Sequence, residues 1–72
     1  MTGKSTYQIV EIVGTSNTSW EEAAKIAVKT AGKSLKDLRI AEVVRLDMVV
    51  EDGKVSKYRA RINLSFKYHG KK

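Results

Sequence analysis

The chain has 72 residues, a net charge of +6 and neither cysteine nor proline. This length fits one domain, residues 1–72, and a domain so small is often supported by disulfides, metal or oligomerisation. The lack of cysteine excludes disulfides and thiolate chemistry, and it fits a reducing cytoplasm. We expect no membrane span, because no apolar run approaches ~20 residues, and no signal peptide.

The stretch from Tyr7 to Val13 predicts a first strand. It has apolar side chains on both faces, so both sides of the sheet should be covered. The segment Gly14 to Thr18 is rich in residues that hydrogen-bond locally, which predicts a turn and a helix cap. Phosphate binding by its backbone N–H groups is the alternative, but the spacing and lysine of a P-loop are missing.

A helix is predicted next, because Ser19 and Glu22 have the spacing of a capping box, as do Thr18 and Glu21. One apolar stripe follows at helical spacing: Trp20, Ala23, Ala24, Ala27, Val28 and Ala31. The alanines allow the helix to lie close to a sheet. Ile26 points away from the stripe, and Gly32 suits the helix end.

The stretch from Ile40 to Tyr68 predicts one long hairpin. Its second half alternates strictly, with one apolar face: Tyr58, Ala60, Ile62, Leu64, Phe66 and Tyr68. Its first half alternates less strictly, with an apolar even face: Ile40, Val44, Leu46, Met48 and Val50. We expect a three-residue loop, Glu51-Asp52-Gly53, because this register matches apolar side chains across the strands. It sets Leu46 opposite Tyr58, Val44 opposite Ala60 and Asp47 opposite Lys57.

The predicted fold is α+β, with the order β-α-β-β and a three-stranded antiparallel sheet in the order 1-3-2. A helix of 13 residues is about 20 Å long, whereas a strand of 12 residues is about 40 Å long. One helix therefore covers the sheet only in part. Copies of the same chain should bury the remaining apolar surface, which predicts a tight homo-oligomer.

Catalysis finds little support, because the lone histidine, His69, stands in a basic tail and no serine or threonine has an evident base beside it. The densest acidic group is Asp47, Glu51 and Asp52, whose oxygens suit calcium or magnesium although the spacing is not that of an EF-hand. A solvated hairpin tip is the alternative reading.

One face of the hairpin is basic and carries Arg45, Lys57, Arg59 and Arg61. Such a face can bind phosphates, or it can form salt bridges between subunits. No aromatic residue is interleaved on the same face, which argues against a stacking platform for single-stranded nucleic acid. We therefore keep nucleic-acid binding as an alternative only.

Four segments together resemble the dodecins over residues 6–67: YQIVEIVGTS, WEEAAKIAVKTA, LRIAEV and KYRARINLSFK. The resemblance implies a hollow homododecamer that binds flavins such as riboflavin, FMN or FAD for storage and is not an enzyme. Flavin-binding members have a ring-stacking tryptophan two residues before the Glu of Ala41-Glu42-Val43, where this chain has Ile40. They have a glutamine where this chain has Arg59. Isoleucine offers no π face and arginine no acceptor, so both flavin contacts are altered.

Three further motifs resemble a flavin-less branch of dodecins, of which one member is described as calcium-associated: Ser19-Trp20-Glu21, Asp47-Met48 and Ser65-Phe66-Lys67. The expected function is a non-catalytic dodecin-like shell that sequesters a small ligand or a cation such as calcium. The alternatives are a flavin-binding dodecin with a modified pocket, at Ile40, Glu42 and Arg59, and a basic nucleic-acid-binding module.

Overall fold

A computed structural model describes residues 6–68, so His69 lies outside the described residues. The elements are β1 (Tyr7–Ser16), α1 (Trp20–Gly32), β2 (Leu38–Glu51) and β3 (Lys54–Lys67). The strands form one antiparallel sheet in the order β1-β3-β2, which confirms the predicted α+β topology. Within the described part of the chain, no helix has the length and apolar character needed to cross a membrane.

The helix begins at a side-chain cap and packs on the sheet through alanines. Ser19 is the N-cap, and its Oγ accepts a hydrogen bond of 3.0 Å from the backbone N–H of Glu22, as the capping-box pattern predicts. Ala23 and Ala27 are buried, and Ile26 is exposed. The predicted stripe is therefore the packed face of α1.

The first strand is longer than predicted, because Gly14, Thr15 and Ser16 continue the ladder opposite Ala60, Arg59 and Tyr58. The expected turn at Gly14 to Thr18 was wrong for these three residues. Gly14 lies directly beneath α1. A Cβ atom there would meet the backbone oxygen of Ala23 at 2.2 Å. Glycine is therefore needed here for close helix–sheet contact within a strand.

The core lies between α1 and the middle of β3. Its fully or nearly fully buried side chains are Ala23, Ala27, Ala60, Ile62 and Leu64, and Ile12, Val28 and Leu35 pack around them. Burying Ile62 or Leu64 contributes roughly 1.5–3 kcal/mol each to folding. The strict alternation of β3 thus predicted its buried face correctly.

The hairpin turn contains two residues rather than the three that we predicted. Glu51 pairs with Lys54, and Asp52 and Gly53 have φ values of 53° and 75°, as a type I′ Asp-Gly turn requires. A bulge at Ser56 then shifts the register by one residue. The bulge restores the match of side chains that led us to prefer the longer loop.

The predicted cross-strand pairs were therefore wrong. Leu46 lies opposite Ala60 rather than Tyr58, and Asp47 lies opposite Arg59 rather than Lys57. Val44 does not face Ala60, because it is the extra residue of a second bulge between Val43 and Arg45. Because of that bulge, the residues of β2 that face α1 have even numbers after Val44, such as Leu46, and odd numbers before it, such as Val43.

Candidate functional site

The face of the sheet that points away from α1, here called the open face, carries most of the candidate functional residues. Cross-strand partners place their side chains on the same face, so the register arranges them in rows across β1, β3 and β2. The rows are Thr15–Arg59–Asp47, Val13–Arg61–Arg45, Glu11–Asn63–Glu42 and Ile9–Ser65–Ile40. Charged rows therefore adjoin an apolar row on one surface.

The best-defined contact of the open face is a fork between Arg59 and Asp47. Arg59 Nε donates to Asp47 Oδ1 at 2.7 Å, and its Nη2 donates to Oδ2 at 2.8 Å. The geometry is that of a bidentate guanidinium–carboxylate pair, which fixes orientation as well as distance. The two side chains are 39% and 41% exposed, so the pair is half-buried.

This fork sets the electrostatics of Asp47. The hydrogen bonds from Arg59 are the main reason why the pKa of Asp47 lies below its ordinary value of 3.8. Partial desolvation opposes that shift, and the positive charges of Arg59, Arg61 and Arg45 add to it. The same hydrogen bonds, followed by the charge of Asp47, raise the pKa of Arg59.

On the helix side of the sheet, Trp20 contacts β2 at the position of Asp47 and packs against Tyr58 of β3. Trp20 Nε1 donates to the backbone oxygen of Asp47 at 2.9 Å, and its ring meets Tyr58 edge-on, with centroids 5.2 Å apart. The start of α1 is thereby tied to the strand that carries Asp47. Sequence reasoning placed Trp20 in the helix stripe but missed this link, because it depends on the register of the hairpin.

Ile40, Glu42 and Arg59, the positions of the flavin pocket that the resemblance implies, lie together on the open face. The predicted hairpin has Ile40 on its apolar face and Arg59 on its basic face, and this separation was wrong because the bulge at Val44 turns the preceding residues of β2 to the other face. Ile40 lies opposite Ser65, six residues along β3 from Arg59. That spacing is roughly 20 Å, so Ile40 and Arg59 do not meet within one chain. Glu42 lies between them, opposite Asn63.

The candidate metal ligands are spread along the hairpin. Asp47 is bound by Arg59, whereas Glu51 and Asp52 are exposed at the tip. Among residues 6–68, no group of three or more His, Cys, Asp or Glu side chains is close enough together to hold a metal ion.

Besides the apolar row of the open face, residues 6–68 expose apolar side chains in two further places. One is a groove of about 470 Å³ between β1 and α1, lined mainly by Ile12, Val13, Ile26, Ala27, Ala31 and Leu35. The other, here called the uncovered strip, runs along the hairpin on the helix side of the sheet and comprises Val43, Leu46, Met48, Val50 and Val55. All five side chains of the uncovered strip are exposed.

Comparison with known proteins identifies the family. A family model described as Dodecin matches residues 6–69, so this chain belongs to the dodecin family. The calcium dodecin of Mycobacterium tuberculosis is 44% identical to it over 63 residues, which cover 88% of this chain and 89% of that protein. The family assignment made from sequence motifs is therefore confirmed.

Solved structures agree in fold. The dodecin from Streptomyces coelicolor superposes with a TM-score of 0.89 at 30% identity, covering 97% of this chain and all of that one. The M. tuberculosis calcium dodecin, described as a calcium-chelating antigen with a novel calcium-binding site, superposes with a TM-score of 0.81 at 41% identity. That alignment covers 94% of this chain and 97% of the other.

Proposed function

We propose that this dodecin assembles as a homododecamer that stores a cation or a small ligand and catalyses no reaction. The observation that carries the proposal is the uncovered strip on the hairpin. Exposed apolar side chains in a continuous row are typical of an interface. Self-association would bury the strip and would supply the support that so short a chain needs. The lack of cysteine fits action in the cytoplasm.

The position of the uncovered strip favours copies of the same chain as the partner. β2 is an edge strand, so its outer backbone groups are available for contact alongside the apolar side chains. Symmetric assembly also brings together the copies of any residue that lies near a symmetry axis. Carboxylates that stand alone in one chain can therefore converge in the assembly.

Calcium is the cation that we favour, because a relative of 44% identity is a calcium dodecin. Calcium binds through several oxygen ligands, which the carboxylates Asp47, Glu51 and Asp52 supply. Asp47 is already held by Arg59, so Glu51 and Asp52 at the hairpin tip are the more available pair. We propose that copies of the tip carboxylates contribute to one site between subunits.

Calorimetric titration of the purified assembly with calcium tests this proposal. We expect saturable binding that weakens in the Glu51→Gln and Asp52→Asn variants. Glu21→Gln is the matched control, because Glu21 is an exposed carboxylate on α1 and its loss changes the charge equally. Equal calcium affinity in all four proteins, or no calcium binding by the unmodified protein, would contradict a calcium site at the tip.

A flavin-binding dodecin with a modified pocket is the second candidate, since Ile40, Glu42 and Arg59 share the open face. Ile40 supplies no stacking surface, and Arg59 is occupied by Asp47. We therefore expect any flavin affinity to be weak.

Nucleic-acid binding is the remaining alternative, and the basic residues do lie together on the open face. Arg59 is engaged by Asp47, however, and the carboxylates Glu11 and Glu42 occupy a row of the same face, where they repel a nucleic-acid backbone. We expect no DNA or RNA binding that falls steeply with rising salt, which is the behaviour that distinguishes a phosphate-backbone binder.

A further inference from the structure

The open face contains two arginines in direct cross-strand register. Arg45 of β2 lies opposite Arg61 of β3, and Arg59 follows two residues away on the same face of β3. Like charges directly opposite each other destabilise a sheet. The arrangement therefore needs a counter-charge.

The nearest carboxylates do not neutralise this arginine pair, Arg45 and Arg61. Asp47 makes both of its short contacts to Arg59. Glu11 reaches Arg61 through one contact of 3.8 Å, at the outer limit of an ion pair. The Arg45 side chain makes no hydrogen bond or ion pair with any residue between 6 and 68. Glu42, in the adjacent row of the open face, makes no ion pair with either arginine among residues 6–68. Arg45 and Arg61 therefore form a local positive patch between rows that carry carboxylates.

The chemistry of the arginine pair matches an oxyanion. Each guanidinium is a planar fork that binds phosphate or carboxylate through two parallel N–H···O bonds. Directly opposed residues in an antiparallel pair have Cβ atoms about 4.5–5.5 Å apart, so both forks can reach the same group. Partial exposure of Arg61, at 41%, leaves room for a ligand.

We propose that Arg45 and Arg61 form an oxyanion-binding site on the open face, suited to the phosphate group of a small molecule. This site is separate from the tip carboxylates and does not rest on the proposed calcium storage. A carboxylate of a second copy has the same binding chemistry, and the experiment below separates these two sources. The lowered pKa of Asp47, to which the charges of Arg61 and Arg45 contribute, is consistent with the positive field there.

Titration with inorganic pyrophosphate at low salt tests the site. We expect the unmodified protein to bind pyrophosphate and Arg45→Gln to bind it at least about tenfold more weakly, since a charge-assisted hydrogen bond contributes about 1.5–3 kcal/mol. Lys25→Gln on the exposed face of α1 is the charge-matched control and should retain the affinity. Absence of pyrophosphate binding, or equal weakening in both variants, would overturn the proposal.

Two further measurements on Arg45→Gln identify the occupant of the site. Without pyrophosphate, its melting temperature should equal or exceed that of the unmodified protein, because one of two opposed like charges has been removed. Its mass by light scattering should remain that of the unmodified assembly. A fall in mass would overturn the small-molecule site and assign the arginine pair to a carboxylate of a neighbouring copy.

Discussion

Two neighbouring strands of one sheet, β3 and β2, present similar apolar side chains to the same side and bury them very differently. Ala60 and Ile62 of β3 are 0% exposed, whereas their direct partners on β2, Leu46 and Val43, are 46% and 50% exposed. A helix is about 10–12 Å across and strands lie about 4.8 Å apart, so one helix covers two strands. α1 covers β1 and β3, which leaves the apolar side chains of β2 uncovered.

The comparison shows that alternation identifies a face but not what covers it. β3 alternates strictly and is buried by its own chain. β2 is equally apolar on that side, yet its side chains there are exposed in the single chain. The same sequence pattern therefore stabilises the subunit in one strand, and in the other it supplies the surface that we propose for assembly.

The largest expected effect on stability comes from truncating a buried side chain of β3. Leu64→Ala removes a fully buried side chain and should lower the free energy of unfolding by about 2–5 kcal/mol. Chemical denaturation followed by circular dichroism measures this loss. Asn63→Ala is the control, because its side chain is on the open face of the same strand, and its effect should be much smaller. Equal losses in the two variants would contradict the division between the two faces.

A substitution in the uncovered strip of β2 should weaken assembly but leave the fold of the subunit intact. Leu46→Asp places a charge in the uncovered strip, where burial against another copy would leave it unpaired. We expect light scattering to show a smaller particle while circular dichroism retains the signal of the fold. Lys25→Asp, on the exposed side of α1, should leave the particle size unchanged. An intact assembly of the Leu46→Asp variant would refute the role of the strip.

A smaller effect concerns pH and the Asp47–Arg59 fork. The pKa of Asp47 is lower in the folded chain than its ordinary value of 3.8, so the unfolded chain binds more protons in acid. The stabilisation is therefore complete at neutral pH and is lost as the pH falls below about 4. Asp47→Asn should lose less melting temperature than the unmodified protein between about pH 7 and about pH 3. Identical pH profiles would show that the fork does not contribute.

The weakest expected signal is flavin binding at the altered positions. A stacked aromatic contributes about 0.5–1.5 kcal/mol, and a mismatched buried polar partner costs about 1–3 kcal/mol. We expect the protein to be colourless and to leave riboflavin fluorescence unquenched at micromolar concentration. Ile40→Trp combined with Arg59→Gln should restore part of the quenching. Strong quenching by the unmodified protein would indicate that another group, such as the Arg59 guanidinium, contacts the ring.

Much of the fold could be predicted from sequence, and the misses have a common cause. The order of elements, the helix cap and the buried face of β3 follow from local patterns, and they were predicted correctly. The hairpin register was not predicted correctly, because bulges at Ser56 and Val44 shift the pairing of the strands while the residues on either side still alternate. The looser alternation of β2 was the signal of the bulge at Val44.

The candidate site was predictable only in part for the same reason. Its residue types were recognised, but the Asp47–Arg59 fork and the Arg45–Arg61 pair depend on a register that sequence reasoning assigned wrongly. The last three residues of β1, Gly14 to Ser16, were missed because Gly14 is typical of a turn, whereas here it allows close packing beneath α1.

The mass of the purified protein in solution tests most directly whether β2 is covered by copies of the same chain. Sedimentation equilibrium or light scattering at micromolar concentration should give roughly twelve times the subunit mass of 8.0 kDa. A monomer of 8.0 kDa under these conditions would contradict the proposed burial of β2 by other copies, because the uncovered strip would then be exposed to water without a partner.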